Sequence, residues 1–209
     1  MQPLIKICGL STEESLEAAI AAGADMVGLV FFPPSPRHLS PARARALGAA
    51  AQGRVRKVAL SVDADDATLD ALTEAARPDA LQLHGRESPA RVLEIKRRFG
   101  LPVMKAIHVS TRDDLAAVAA YEGAADSLVF DARPPKGATL PGGNGAAFDW
   151  TLLAGVDTRL PWMLSGGLNP DNVAEALRVT GAAALDVSSG VERAPGEKDP
   201  DLIRLFIAR

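Results

Sequence analysis

Cys8, the only cysteine in the chain, closes the apolar run Leu4-Ile5-Lys6-Ile7-Cys8 and is followed by a glycine. A thiol at such a strand mouth either fills core space as a small hydrophobe or, where something lowers its pKa, serves as a base or nucleophile. Asp131 ends the run Ser127-Leu128-Val129-Phe130-Asp131 in the same manner. A carboxyl there is suited to acid or base work, and with Cys8 it could flank one small substrate. Gln82 and His84 end a third run, and His108 ends a fourth. Both histidines read as structural or supporting groups rather than metal ligands, because no Asp/Glu/His/Cys cluster has ligand spacing. Arg37 follows Pro33-Pro34-Ser35-Pro36. Held by three prolines, its guanidinium is a candidate bidentate grip on a carboxylate; free of them it would be an ordinary surface cation.

Two further segments carry small residues where an anion could approach. Leu164-Ser165-Gly166-Gly167-Leu168 leads into a helix expected from Pro170, and Asp186-Val187-Ser188-Ser189-Gly190 follows the last strand. Glycine and serine leave backbone N–H groups bare, and a helix N-terminus adds partial positive charge, which together suit a phosphate. The competing reading is that these glycines simply make tight turns.

Side chains so placed require a ring of strands that all point the same way. Apolar runs rich in Val, Leu and Ile predict strands at 4–8, 26–32, 55–62, 80–84, 103–108, 127–131, 162–165 and 184–187. Helices are expected between them at 12–22, 41–51, 67–76, 89–99, 112–121, 150–153, 170–179 and 200–208. Ser40-Pro41, Ser88-Pro89 and Asn169-Pro170 each place a capping side chain before a proline, and Gly23, Gly100 and Gly181 stand at helix ends. Eight such units predict an α/β protein, a single (β/α)8 TIM barrel spanning residues 1–209. A doubly wound dinucleotide fold would show G-x-G-x-x-G after the first strand, and Cys8-Gly9-Leu10-Ser11 does not match. In a barrel the strand mouths form the chemical face, and the turns after strands seven and eight are its usual phosphate site. The irregular stretch 132–147, with Pro134-Pro135-Lys136-Gly137 and Gly142-Gly143-Asn144-Gly145, reads as a lid over that face, with a floppy insertion as the competing reading.

Composition narrows the function classes. With 47% hydrophobic and 23% charged residues and a net charge of −3, the chain has the make-up of a globular protein without a basic stripe. Nucleic-acid binding is disfavoured for want of phosphate-neutralising charge. One cysteine forms no internal disulfide, and neither a leader nor a membrane span is expected, so the protein reads as cytoplasmic.

The segments KICGL (6–10), GLVFFPPSPRHLS (28–40), LQLHG (81–85), LVFDA (128–132), GGNGAAFDW (142–150), LSGGLNPDNV (164–173) and LDVSSGVE (185–192) resemble phosphoribosylanthranilate isomerase over nearly the whole chain. The combination of KICG, FFPPSPR and DVSSGVE carries the specificity. The resemblance implies a (β/α)8 barrel acting in tryptophan biosynthesis. It implies Cys8 as general base, Asp131 as general acid and Arg37 on the anthranilate carboxylate. Gly166, Gly167, Ser188, Ser189 and Gly190 would hold the phosphate; apart from the resemblance, Gln82 and His84 at the mouth of strand four are expected among the substrate contacts. Neither cofactor nor metal is implied, the expected partner is a phosphorylated small molecule, and the chain would act as monomer or homodimer. Asn144 departs from the threonine or serine usual in the lid. Rival readings are another sugar-phosphate isomerase, such as that of histidine biosynthesis with an aspartate in place of Cys8, and a non-catalytic phosphate-ligand sensor.

Overall fold

The structure, a computed structural model, describes residues 2–209 except Pro135, Lys136, Thr139, Asn144 and Ala146. Asn144 and the Pro135-Lys136 pair of the expected lid therefore lie outside the described residues. Eight parallel strands close into a barrel: β1 (Leu4–Cys8), β2 (Met26–Phe31), β3 (Arg56–Ser61), β4 (Ala80–Leu83), β5 (Val103–Val109), β6 (Ser127–Ala132), β7 (Trp162–Leu164) and β8 (Ala184–Val187). The ring closes where β1 pairs with β8.

The outer layer consists of α1 (Glu13–Ala22), α2 (Pro41–Ala51), α3 (Asp66–Ala76), α4 (Pro89–Phe99), α5 (Val118–Tyr121), α6 (Val173–Thr180) and α7 (Pro200–Ile207). Ser40 and Ser88 cap α2 and α4 through their side chains, each with proline at the first position. Gly23, Gly100 and Gly181 end α1, α4 and α6 in the left-handed conformation. Three connections depart from the regular alternation. The fifth is a 3-10 turn (Arg112–Ala117) running into the single turn of α5, and only Val118 of that stretch is buried. The sixth is a 3-10 turn over Trp150–Leu153 with Leu153 alone buried. Neither segment has the apolar stripe that rewards a full helix. The seventh helix of the expected pattern begins at Val173 rather than Pro170, because Asn169 first folds 169–172 into a turn, its Oδ1 accepting from Asp171 and Asn172. After β8 a 3-10 turn (Ser189–Val191) leads into an unexpected hairpin of β9 (Glu192–Ala194) and β10 (Glu197–Lys198), too short for any alternation to announce it.

The packing is layered. Ile7, Leu29, Leu81 and Val103 face Leu16, Leu47, Leu69, Val92 and Ile203 of the helices in the large outer core. Inside the ring Met26, Val58, Met104, Val129 and Met163 fill the lower barrel. Above that plug Cys8, Val30 and Leu60 pack with Phe32 and Val62, forming an apolar wall at the strand mouths. Of the described residues, no helix is long and apolar enough to cross a membrane.

Candidate active site

The strand mouths enclose a cleft of about 500 Å³ that brings together Cys8, Arg37, Gln82, His84 and Asp131 with Val30, Phe32, Leu60 and Val62. A second hollow of about 380 Å³ adjoins it, lined by Gly166, Gly167, Ser188 and Ser189. Asp131, Asp186 and Ser188 line both, so one continuous site has an apolar end and a polar end.

Cys8 lies opposite Gly28 of β2 in register. A Cβ on Gly28 would fall 2.6 Å from Cys8 Sγ, so this glycine admits the thiol into the cleft. Two residues below Cys8 on the same strand face, Lys6 is fully buried and forms a 2.9 Å ion pair with Asp186, its register partner on β8. Burial pushes the Cys8 thiol above its ordinary pKa; the Lys6 ammonium pulls it back, the Asp186 carboxylate pushes it up, and burial prevails.

Asp131 is the penultimate residue of β6 and accepts the Ala132 N–H through Oδ1 at 2.9 Å. Its Oδ2 stands 3.1 Å from His84 Nε2, and His84 Nδ1 stands 3.0 Å from Gln82 Nε2. Gln82 Oε1 is buried without a partner among the described residues. His84 lies one residue beyond the end of β4 rather than within it, and its backbone N–H donates to Ser61 O at 2.9 Å. Carboxyl, imidazole and amide thus form one chain across β4 and β6. His108 stands beside Asp131 in the β5/β6 register. Burial and the neighbouring His84 lower its pKa to about 4, leaving it neutral at physiological pH.

The segment after β6 lies against this chain. A Cβ on Gly142 would fall 2.5 Å from His84 Nε2 and 2.8 Å from Asp131 Oδ2, and one on Gly143 would fall 2.6 Å from Arg37 Nη1. The described lid residues therefore cover the carboxyl and the guanidinium, and glycine is what permits so close a backbone.

Arg37 is buried, and its fork is already engaged. Nε and Nη2 donate to the two carboxylate oxygens of Glu192 at 2.7 and 2.8 Å, and Nη2 reaches Gly143 O at 3.3 Å. A substrate carboxylate could then take only the Nη1 side, which corrects the expectation of a free bidentate fork. Gly9, at φ +80°, makes room for this arrangement, since a Cβ there would fall 2.5 Å from Arg37 Cδ. Glu192 also accepts from Lys198 Nζ at 2.6 Å. Burial raises the Glu192 pKa, but Arg37 and Lys198 outweigh it and hold the carboxyl below its usual range.

Gly166 and Gly167 adopt positive φ of 84° and 69° at the turn after β7. Among the described residues, no protein acceptor takes their N–H groups or those of Ser189 and Gly190. A Cβ on Gly190 would fall 1.8 Å from Leu168 O, so the turns after β7 and β8 pack backbone to backbone. The helical contribution expected here is smaller than the sequence implied, because α6 starts at Val173 and β8 is followed by a 3-10 turn. Ser188 Oγ is also committed, donating to Cys8 O at 3.1 Å.

Lys6, Asp186, Glu192 and Lys198 are site residues that the sequence reading did not single out. Lys6 and Asp186 left a signal, each being a charge inside an apolar strand. Glu192 closes the DVSSGVE motif, whereas Lys198 left no signal because it sits in the short hairpin.

A closed (β/α)8 barrel whose strand mouths join a thiol, a carboxyl–imidazole pair and an anion-ready glycine rim is the architecture of barrel enzymes that act on phosphorylated small molecules. Comparison with known proteins narrows that class. The family model described as N-(5'-phosphoribosyl)anthranilate (PRA) isomerase matches residues 5–209, and the chain belongs to that family. The N-(5'-phosphoribosyl)anthranilate isomerase of Rhodopseudomonas palustris (strain BisA53) is 66% identical over 203 residues, covering 97% of this chain and 93% of the relative. Monomers made from the dimeric phosphoribosylanthranilate isomerase of Thermotoga maritima superpose with a TM-score of 0.85 at 34% identity, covering 99% of this chain and 97% of that one. A phosphoribosyl anthranilate isomerase in complex with reduced 1-(o-carboxyphenylamino)-1-deoxyribulose 5-phosphate matches with the same TM-score of 0.85, identity of 34% and coverage of 99% and 97%. Membership makes this chain an enzyme of the isomerase class.

Proposed function

We propose that this chain converts N-(5-phosphoribosyl)anthranilate to 1-(2-carboxyphenylamino)-1-deoxyribulose 5-phosphate, the Amadori rearrangement of tryptophan biosynthesis, with Asp131 as general acid and Cys8 as general base. The observation that carries this reading is the two-ended cleft. Its apolar end, walled by Val30, Phe32, Leu60 and Val62 beside Arg37, fits an aromatic carboxylate, and its glycine end fits a phosphate. The carboxyl of Asp131 borders both compartments and so lies where the sugar must sit.

In the first step protonated Asp131 donates to the furanose ring oxygen, and the ring opens to an iminium. The Cys8 thiolate then removes the proton from sugar carbon 2, giving an enolamine that tautomerises to the ketone. One proton leaves Asp131 and one arrives at Cys8, so solvent exchange resets both groups. The substrate's own nitrogen is the electron sink, and no step routes through a cofactor or metal.

Gln82 and His84 act on the acid rather than on the substrate. The Gln82 amide donates to His84 Nδ1 and so keeps the imidazole proton on Nε2, from which it donates to Asp131 Oδ2 whether the acid is loaded or discharged; the acid's own proton stays available for the ring oxygen.

The chain acts as a monomer or a homodimer. The sole partner proposed is the small phosphorylated substrate, in the cytoplasm and as one domain over 1–209. The test is the loss of the substrate's anthranilate fluorescence on adding purified protein with a chelator present. Wild type should quench it, and Asp131→Asn should slow the reaction roughly 10²–10⁴-fold, the usual worth of a positioned acid. Ligand binding without any fluorescence loss would leave a phosphate-ligand sensor instead.

A further inference from the structure

His108 is the one histidine at the strand mouths that the proposed chemistry leaves unused. Its Nε2 is buried and has no hydrogen-bond partner among the described residues, an uncommon state for a buried polar atom. The β5/β6 register sets it beside Asp131, and its ring meets that of His84 edge to face with centroids 5.1 Å apart. One ligand atom from each of His84, His108 and Asp131 lies within 4.8 Å of the other two. We propose that these three side chains bind a divalent transition-metal ion of the zinc type, and that occupancy ties up the Asp131 carboxylate and switches the isomerase off.

Two imidazoles and a carboxylate form a donor set for first-row divalent ions, and three protein ligands leave a fourth position open. Metal bonds of about 2.0–2.2 Å in a tetrahedron require donors roughly 3.3–3.5 Å apart. His84 Nε2 and Asp131 Oδ2, at 3.1 Å, already stand near that separation. His108 supplies the third donor, within 4.8 Å of the other two. Gly142 lies over the same two donors, with the point of its missing Cβ 2.5 Å from His84 Nε2 and 2.8 Å from Asp131 Oδ2, so the lid backbone draws back as the ion enters.

The surroundings complete the site. A metal-bound imidazole almost always donates its other N–H to an oxygen acceptor. His84 Nδ1 has Gln82 beside it, whose Oε1 is otherwise unpartnered. The Pro141 carbonyl lies beside the His108 ring, and the buried Nε2 has no partner among the described residues. The nearby Lys105 ammonium does not leave an uncompensated repulsion, because Glu87 pairs with it at 3.1 Å and the carbonyls of Leu83, Gly85 and Ala106 accept from it.

The inhibitory half rests on Asp131 being the acid; the binding half does not. The test titrates metal-free enzyme calorimetrically with Zn²⁺, with Co²⁺ visible absorption as a second readout. Wild type should bind one ion per chain, and His108→Ala should weaken Zn²⁺ by about 10–100-fold or more, the cost of disturbing a metal site, while losing the Co²⁺ bands. His108→Gln serves if the alanine variant melts early. Metal-free His108→Ala should keep wild-type turnover, and Cys8→Ala should keep wild-type Zn²⁺ affinity. Equal affinity in wild type and both His108 variants would overturn the site, as would loss of binding in Cys8→Ala alone. Stoichiometric binding with undiminished turnover would overturn the inhibition and move the acid away from Asp131.

Discussion

At Cys8, burial and three charges compete for one proton. Burial raises the thiol's pKa, Lys6 and Lys198 lower it, Asp186 raises it, and the net displacement is upward. As the base, Cys8 must be deprotonated, so activity is lost as pH falls through a thiol pKa that lies above its ordinary value. We therefore expect kcat/KM to keep rising through the mildly alkaline range, and the limb to vanish in Cys8→Ala. That variant should lose roughly 10²–10⁴-fold in kcat. Its melting temperature should stay near wild type, because a methyl replaces a thiol against Val30 and Leu60. Wild-type turnover from Cys8→Ala in steady-state assays would return the residue to core filler.

Among the elements, the short hairpin after β8 matters more to the site than its size suggests. β9 and β10 supply Glu192 and Lys198, and Glu192 holds the Arg37 fork from the far side of β1, which β2 and β8 flank. The proline-stiffened loop after β2 and the hairpin after β8 thus orient a single guanidinium between them. Arg37→Ala should raise KM with little change in kcat, since it grips a group remote from the reacting carbons. It also leaves Glu192 with one buried partner, Lys198, whose own pKa is lowered to about 8 by burial. A substrate analogue lacking the carboxylate should lose little further affinity in this variant. Additive losses in a double-mutant cycle would remove the contact.

Across the whole molecule, the barrel closes and the phosphate rim assembles at the same seam. Lys6 and Asp186 join the first and last strands through a buried ion pair. Lys6→Met leaves a buried carboxylate uncompensated and should cost about 3–5 kcal/mol of stability in denaturant unfolding. A Lys6→Met/Asp186→Leu double variant should recover much of that. The rim depends on the turns after β7 and β8 meeting backbone to backbone. Gly190→Ala would drive a Cβ into Leu168 O, part the turns and lower inorganic phosphate affinity about tenfold for each N–H bond lost. Arg37→Ala should leave phosphate affinity unchanged by calorimetry. Full phosphate affinity in Gly190→Ala would move the anion site elsewhere.

Much of this was legible along the chain because it is local. Strand runs, serine–proline caps and glycine stops depend on neighbours a few residues away, and they placed the eight strands and most helix ends. The mouths of those strands delivered Cys8, Gln82, His84 and Asp131 to one cleft, since parallel strands alternating with helices leave all their carboxyl ends on one face. What the tertiary structure alone decided are pairings between segments far apart in sequence on neighbouring or next-neighbouring strands. Lys6 meets Asp186 180 residues away, Arg37 meets Glu192 155 residues away, and His84 meets Asp131 47 residues away. Such contacts follow from which strands neighbour each other and in what register, and closure of the ring sets that for the whole chain at once. No local pattern announces that Arg37 is already held, that Cys8 sits over a buried ion pair, or that two histidines and an aspartate converge, because each depends on segments that only the closed barrel brings together.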